Sequence, residues 1–332
     1  MHTRTLTPRA LVALLRTSPR ELSPALDPGA PPVVIVELDG STRGPDLAAV
    51  AALHSGIGAV IVGLGVHDDP AAGLCDVVLP TDGPVLAAIL EGVERAPVAA
   101  AALVSLLRGQ PGRSIEDGLT LESAVYSALQ AGPEHRTWRQ ATPKRPVPAA
   151  PGDRSPVRVE RDGGTLRLTL DRPDRHNAFS AAMRDALLGA LDIAGFEPEL
   201  RVELRGAGRS FCSGGDLDEF GDAADPACAH LVRLAASTAR VLCGLSPRVT
   251  VHLHGACMGA GIELPAFAGR VIAAPDTRIS LPELGLGLIP GAGGTVSIPA
   301  RVGRHLTARL ALTGEVLDAP TALEWGLVDE VR

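Results

Sequence analysis

Apolar and polar positions follow two rhythms along this chain. Short unbroken apolar runs at residues 33–38 and 59–66, and a shorter one at 76–79, have the length and content of buried strands. Around them the spacing turns helical, over 46–54, 85–95 and 98–107. Ser114 and Asp117 form an approximate capping box. It opens a further helix with Ile115, Leu119, Val125 and Leu129 roughly on one side. The first 32 residues are rich in proline and predict a loose lead apart from a short helix at 11–16. Residues 144–156, KRPVPAAPGDRSP, read as a linker, because prolines fix φ and remove amide donors. The boundary is placed at 152, giving an N-terminal α/β region, 1–152, and a second region, 153–332.

The second region repeats one pattern. Strands at 157–160 and 166–170 flank the turn Asp162-Gly163-Gly164. Ser180 caps a helix whose apolar side is Met183, Ala186, Leu187, Ala190 and Leu191. A strand at 201–204, a helix at 229–245, a strand at 249–253, a helix at 260–268 and a strand at 271–274 follow, and Gly291 opens another helix. Recurrent strand, glycine turn and helix predict an α/β fold.

Composition narrows the function. The net charge is −7 without a long basic run, which speaks against a nucleic-acid partner. Five scattered cysteines with no Cys-x-x-Cys suggest reduced thiols and a cytoplasmic location. No leader-like apolar region and no long apolar run appear, so no membrane partner is expected. His252 and His254 share a strand face, but a third ligand is lacking and no metal is expected. Cys212 and Cys257 read as space-filling thiols. Asp216, Asp218 and Glu219 read as a solvated helix start. Ser213 lacks the flanks of a nucleophile elbow.

Three glycine-rich turns carry the candidate chemistry: Ser213-Gly214-Gly215-Asp216, Gly259-Ala260-Gly261 and Gly291-Ala292-Gly293-Gly294. Each stands where a strand gives way to a helix. Helix starts present unpaired N–H groups and partial positive charge, and glycine lets a ligand approach the backbone. Two such amides aimed at one oxygen make an oxyanion hole. Singly, each is an ordinary tight turn. Glu263 follows the second turn, and Glu283 precedes the third among apolar neighbours. A desolvated glutamate is a usable acid or base near neutrality, although most single glutamates are surface groups. The combination carries the argument.

These residues resemble the enoyl-CoA hydratase/isomerase (crotonase) family. The likeness rests on Ser210-Phe211-Cys212-Ser213-Gly214-Gly215-Asp216, on His254 to Glu263, on Leu281-Pro282-Glu283 and on Ile289 to Gly294. It runs from about Val157 to Arg332 and includes Arg172-Pro173 and Asn177-Ala178-Phe179. The resemblance implies a spiral of ββα units that binds an acyl-CoA thioester. Gly215 and Ala260 would donate amides to the thioester oxygen. Ser213, Arg175, Asn177, Ala178, Phe179 and Leu217 would border the CoA. Glu263 would activate water and Glu283 would supply a proton, with the Gly291 amide helping to hold the water. The implied activity is that of a lyase, an enoyl-CoA hydratase of the fatty-acid type. It needs no cofactor beyond the CoA of its substrate and works in a trimer or hexamer. Double-bond isomerisation and a non-catalytic binding role are the alternatives.

Four residues depart from the family pattern. Ala260 replaces a usual glycine, Pro265 falls just after Glu263, and His254 and Gly269 stand where asparagine and aspartate are frequent. The family also continues past Gly326-Leu327-Val328-Asp329-Glu330-Val331 into helices that close the site, whereas this sequence stops at Arg332. Leu74 to Pro80 weakly echoes that ending. Leu119-Thr120-Leu121-Glu122-Ser123 and Trp138 look like the tail that would follow it. A permuted order is therefore expected, in which the N-terminal region supplies the closing helices to its own or a neighbouring chain.

Overall fold

The computed structural model describes residues 2–27, 29–40, 50, 54, 56–65, 68–144, 155–221 and 225–332. Most of the helix expected at 46–54 and most of the linker at 144–156, with the boundary at 152, lie outside the described residues.

The first region is a parallel four-stranded sheet followed by helices. Its strands are β1 (Thr3–Leu6), β2 (Val33–Leu38), β3 (Val60–Gly65) and β4 (Val77–Leu79), paired in that order. The unbroken apolar runs exist because this sheet is covered on both sides, as parallel sheets are. Val34, Val36 and Ile61 pack on one face with Leu11 and Leu15 of α1 (Pro8–Thr17). Val33, Val60, Val62 and Val77 face the main core. Burying each such valine contributes about 1.5–3 kcal/mol. The opening residues are not loose. Thr3–Leu6 extends along β2, with Thr3 opposite Val33, because a half-exposed edge strand tolerates the alternating T-R-T-L pattern.

Helices α2 (Pro84–Arg95), α3 (Pro97–Arg108), α4 (Ile115–Gln130) and α5 (Pro133–Ala141) follow. The Ser114 cap forms, its Oγ accepting the Asp117 amide at 3.0 Å. Leu119 and Leu129 of α4 are buried, whereas Ile115 is 43% exposed.

The second region has the α/β repeats expected, in the spiral that the resemblance implies. A six-stranded sheet runs β13-β10-β8-β7-β6-β5, and a small sheet runs β12-β11-β9. In chain order these strands are β5 (Val157–Asp162), β6 (Thr165–Leu170), β7 (Arg201–Gly206), β8 (Val249–Leu253), β9 (Ala256–Met258), β10 (Arg270–Ala273), β11 (Arg278–Ser280), β12 (Leu317–Asp318) and β13 (Glu330–Val331). The chain leaves the large sheet at β8 and β10 and enters the small one at β9 and β11. The intervening helices are α6 (Ala181–Phe196), α7 (Pro226–Ala235), α8 (Thr238–Leu245), α9 (Ala260–Glu263), α10 (Gly294–Thr313) and α11 (Ala319–Glu324).

Three expectations need correction. The helix expected at 229–245 is two, α7 and α8, because the Ser237 Oγ accepts the Arg240 amide and starts a new helix. Within residues 226–248 an 18-residue window is apolar enough for a membrane span by composition. Split at Ser237, neither half approaches the roughly 20 residues a span needs. The helix expected at 260–268 ends as α-helix at Glu263 and continues as a 3₁₀ turn, Pro265–Phe267. Pro265 has no N–H for the next hydrogen bond. The last glycine turn stays outside its helix, which starts at Gly294 rather than Gly291 and kinks at Gly303.

One hydrophobic core runs through both regions, from Val33 to Val328. Helices α2, α3 and α4 pack on α10, and α4 also packs on α7. A buried ion pair reinforces the join. Arg108 of α3 meets Asp76 through two nitrogens, at 2.7 and 2.5 Å, and also donates to the carbonyls of Ile57 and Ala59. Arg304 of α10 donates to the Cys75 and Gly73 carbonyls beside it.

Candidate active site

The small sheet aligns the glycine turns. Cys212 pairs with Cys257 in a parallel bridge, and Cys257 pairs with Ile279 of β11. Three positions beyond the paired cysteines stand Gly215 and Ala260. Adjacent strands lie about 4.8 Å apart, so these two amides emerge side by side at neighbouring strand ends. Neither amide donates a hydrogen bond among the described residues. Both residues line a cavity of about 660 Å³ with Glu263, Glu283 and Gly291.

The two glutamates face each other across Gly259. That residue has φ +49°, and a Cβ there would overlap the Glu283 carboxylate and lie 3.7 Å from that of Glu263. Glycine is required on both counts. Glu263 is 2% exposed. Its Oε2 accepts the Ala292 amide at 2.7 Å and the Gly294 amide at 2.9 Å. Glu283 reaches the cavity half-buried, and its buried Oε2 has no hydrogen-bond partner. Burial pushes the Glu283 carboxyl up to about 8. Burial, with the nearby Glu283 and Glu122, holds Glu263 well above the usual carboxylate range. The Ala292 and Gly294 amides favour the ionised form of Glu263, but burial and the two neighbouring carboxyls outweigh them. The pair is thus poised to hold a proton near neutrality.

The loop expected beside CoA is built largely from its own contacts. Asn177 is fully buried. Its Nδ2 donates to the carbonyls of Ala207, Ser210 and Phe211, and its Oδ1 accepts the Arg172 amide at 2.8 Å. Its φ of +54° follows +52° at His176, a left-handed pair those bonds hold in place. The Ala178 carbonyl accepts from Arg172. Asp216 and Asp218 are not a solvated helix start. Asp216 is buried against Arg172 at 3.1 Å, and Asp218 pairs with Arg175 at 2.6 Å. These pairs fasten the loop to the first glycine turn. Phe179 bridges Gly215 and lines the cavity. Ser213 is exposed and donates its amide to His176. The Leu217 carbonyl accepts from Arg139 of α5 at 2.8 Å.

Three residues of the cavity wall carry no role in the sequence reading. Glu122 of α4 takes the Gly293 amide at 2.7 Å and the Thr295 amide at 2.8 Å, and its Oε2 also accepts the Thr295 hydroxyl. Successive amides at the start of α10 thus alternate between Glu263 and Glu122. Burial raises Glu122 to about 7 against those donors. Tyr126, one turn on, lays its ring on Gly291, where an added Cβ would stand 2.5 Å from it. Arg233 of α7 sits over the Tyr126 ring, 4.9 Å from its centroid. The sequence signal for α4 was a run of polar residues, Glu122, Ser123 and Ser127, on a face that the helical period buries.

The side groups set aside earlier stay outside the chemistry. Burial raises the Cys212 thiol to about 12 and the Cys257 thiol well above its usual range, which suppresses nucleophilic character. His254 hydrogen-bonds the Gly208 carbonyl at 3.1 Å. Among the described residues no cluster of three potential metal ligands occurs.

Known proteins resemble the second region of this chain. Over 174 residues the chain is 34% identical to 2,3-dehydroadipyl-CoA hydratase of Escherichia coli (strain K12), covering 52% of this chain and 68% of that protein. It is 36% identical over 174 residues to 1,2-epoxyphenylacetyl-CoA isomerase of the same organism, covering 51% and 66%. The crystal structure of an enoyl-CoA hydratase subunit I from Geobacillus kaustophilus HTA426 superposes with a TM-score of 0.50 at 26% identity, covering 53% of this chain and 68% of that one. The matched stretch is about half of this chain and about two thirds of each relative. The enoyl-CoA hydratase/isomerase family profile matches residues 160–332, and the chain belongs to that family.

Proposed function

We propose that this chain hydrates 2-enoyl-CoA thioesters. The observation that carries the reading is the shared cavity: two unengaged amides, Gly215 and Ala260, and two facing carboxyls, Glu263 and Glu283. The thioester oxygen would accept both amides. Glu263, in its ionised form, would take a proton from water as the water oxygen bonds to Cβ, with its two amide donors favouring that form. The electron pair would move through Cα to the thioester oxygen, where the amides stabilise the enolate; losing one such donor typically costs about 2.7–4 kcal/mol. Glu283, protonated at neutrality, would deliver its proton to Cα. Each step moves a proton or adds water, so the scheme asks for no metal or redox group.

A second reading has its own support in Glu283. Its unpartnered Oε2 could shuttle a proton between carbons by itself, which is double-bond isomerisation. Mixing the protein with 2-enoyl-CoAs and following loss of the enoyl-thioester absorbance decides between them. Hydration predicts loss of that absorbance and dependence on both glutamates. An activity that moves the double bond and survives Glu263→Gln would replace hydration by isomerisation.

A further inference from the structure

Three arginines line the catalytic cavity: Arg184, Arg233 and Arg240. Arg184 pairs with Asp185 at 2.7 Å, and Arg240 pairs with Glu116 at 2.6 Å. Arg233 makes no ion pair among the described residues. Its Nε donates to the Ser123 Oγ at 3.0 Å, and its Nη2 donates to the Ser123 carbonyl and the Ser127 hydroxyl. Stacking on Tyr126 fixes its plane. The nearby Glu122 interacts with it through charge but makes no hydrogen bond to it, since both of its oxygens are engaged at the start of α10. A half-buried guanidinium held by hydroxyls and a carbonyl keeps its full charge and its demand for an anion. Nη1 has no hydrogen-bond partner among the described residues.

A second polar group lining the cavity lacks a partner among the described residues. The Thr238 hydroxyl, at the start of α8, is buried, lines the cavity and makes no hydrogen bond. The Tyr126 ring connects this corner to the chemistry, since it touches Gly291 and also carries Arg233. A chain held by its thioester at Gly215 and Ala260, and passing the glutamates, would meet this corner.

We propose that Arg233 receives a carboxylate at the far end of the acyl chain, so that the preferred substrates are CoA monothioesters of unsaturated dicarboxylic acids. This rests on the acyl-thioester reading of the cavity. The guanidinium supplies charge-assisted donors to the distal carboxylate, Thr238 adds a neutral donor, and the Tyr126 ring lies along the intervening chain.

The test compares CoA monothioesters of straight 2-enedioic acids with 2-enoyl-CoAs of matched carbon number. A charge-assisted hydrogen bond is worth about 1.5–3 kcal/mol, or about 10- to 150-fold in kcat/KM. The wild type should prefer the charged member of the best-fitting pair by that factor. Arg233→Gln should bring the ratio to about one, and Arg233→Lys, which keeps a point charge without the fork, should leave part of it. Thermal melting checks that each variant is folded; if Arg233→Gln is not, Arg233→Lys decides. A wild type that favours the uncharged series, or a ratio that Arg233 variants leave unchanged, overturns the proposal. If no thioester is hydrated, equilibrium binding of the saturated monothioesters separates the two ideas. Arg233-dependent preference for the dicarboxylic member then upholds this site while hydration fails. Equal binding of both members defeats it.

Discussion

Asp76 and Glu263 are both buried carboxylates, each 2% exposed, yet their proton affinities move in opposite directions. Burial alone would raise both. At Asp76 the Arg108 guanidinium outweighs it, with the Ile61 amide adding to the effect, and the carboxyl is held below its usual range. At Glu263 burial raises the carboxyl, two neighbouring carboxyls add to it, and no cation pairs with it among the described residues. The first site is a joint between sheet and helices, where charge is matched and chemistry is suppressed. The second leaves charge unmatched, and a proton can then move near neutrality. An uncompensated buried carboxyl costs stability, and reactivity is the return.

The contrast can be broken from either end. The largest effect should come from Glu283→Gln, with kcat falling about 10²–10⁴-fold and acyl-CoA affinity nearly unchanged. Stopped-flow rates and equilibrium binding measure the two, and a variant with normal turnover would remove Glu283 from the chemistry. At the matched site, Arg108→Met should cost about 3–5 kcal/mol in urea unfolding, because Asp76 is left buried and unpaired. A cost below about 1 kcal/mol would show that water reaches the joint. Glu122→Gln should cost about 1–3 kcal/mol of stability, since a neutral amide serves the Gly293 and Thr295 donors poorly. It should also lower kcat about tenfold through the turn that holds Glu263, and wild-type turnover would show that the turn stands without it.

The smallest effect is in pH. Glu283 has its carboxyl raised to about 8 in the folded protein. Its contribution is therefore fully present below about pH 4.5 and fades as pH rises through 8, by at most about 1.4 kcal/mol per unit. Asp76 has the opposite sign: its contribution is present above its unfolded pKa and is lost in acid. Urea titrations between pH 5 and 9 should show an alkaline slope in the wild type that is weaker in Glu283→Gln. An equal slope in both would contradict the upward shift.

Much of this was legible in the chain. Strands, glycine turns and both glutamates could be read because their chemistry is local: an apolar run, a missing Cβ, an acid among leucines. Glu122, Tyr126 and Arg233 could not be given roles, since their partners lie far away in sequence. Glu122 meets Thr295 across a separation of 173 residues. Asn177 matched the family pattern, but only its burial shows that it shapes the loop from inside. The helical spacing at 260–268 hides the break at Pro265, because proline fits a helix only in its first turn.

The crossing of α4 onto the start of α10 bears on how the protein can be handled. Trimming the gene to the stretch shared with its relatives would discard one wall of the cavity and leave the Gly293 and Thr295 amides without their acceptor. Supplying residues 2–144 as a separate polypeptide should restore that wall, because the bonds that hold it there are noncovalent.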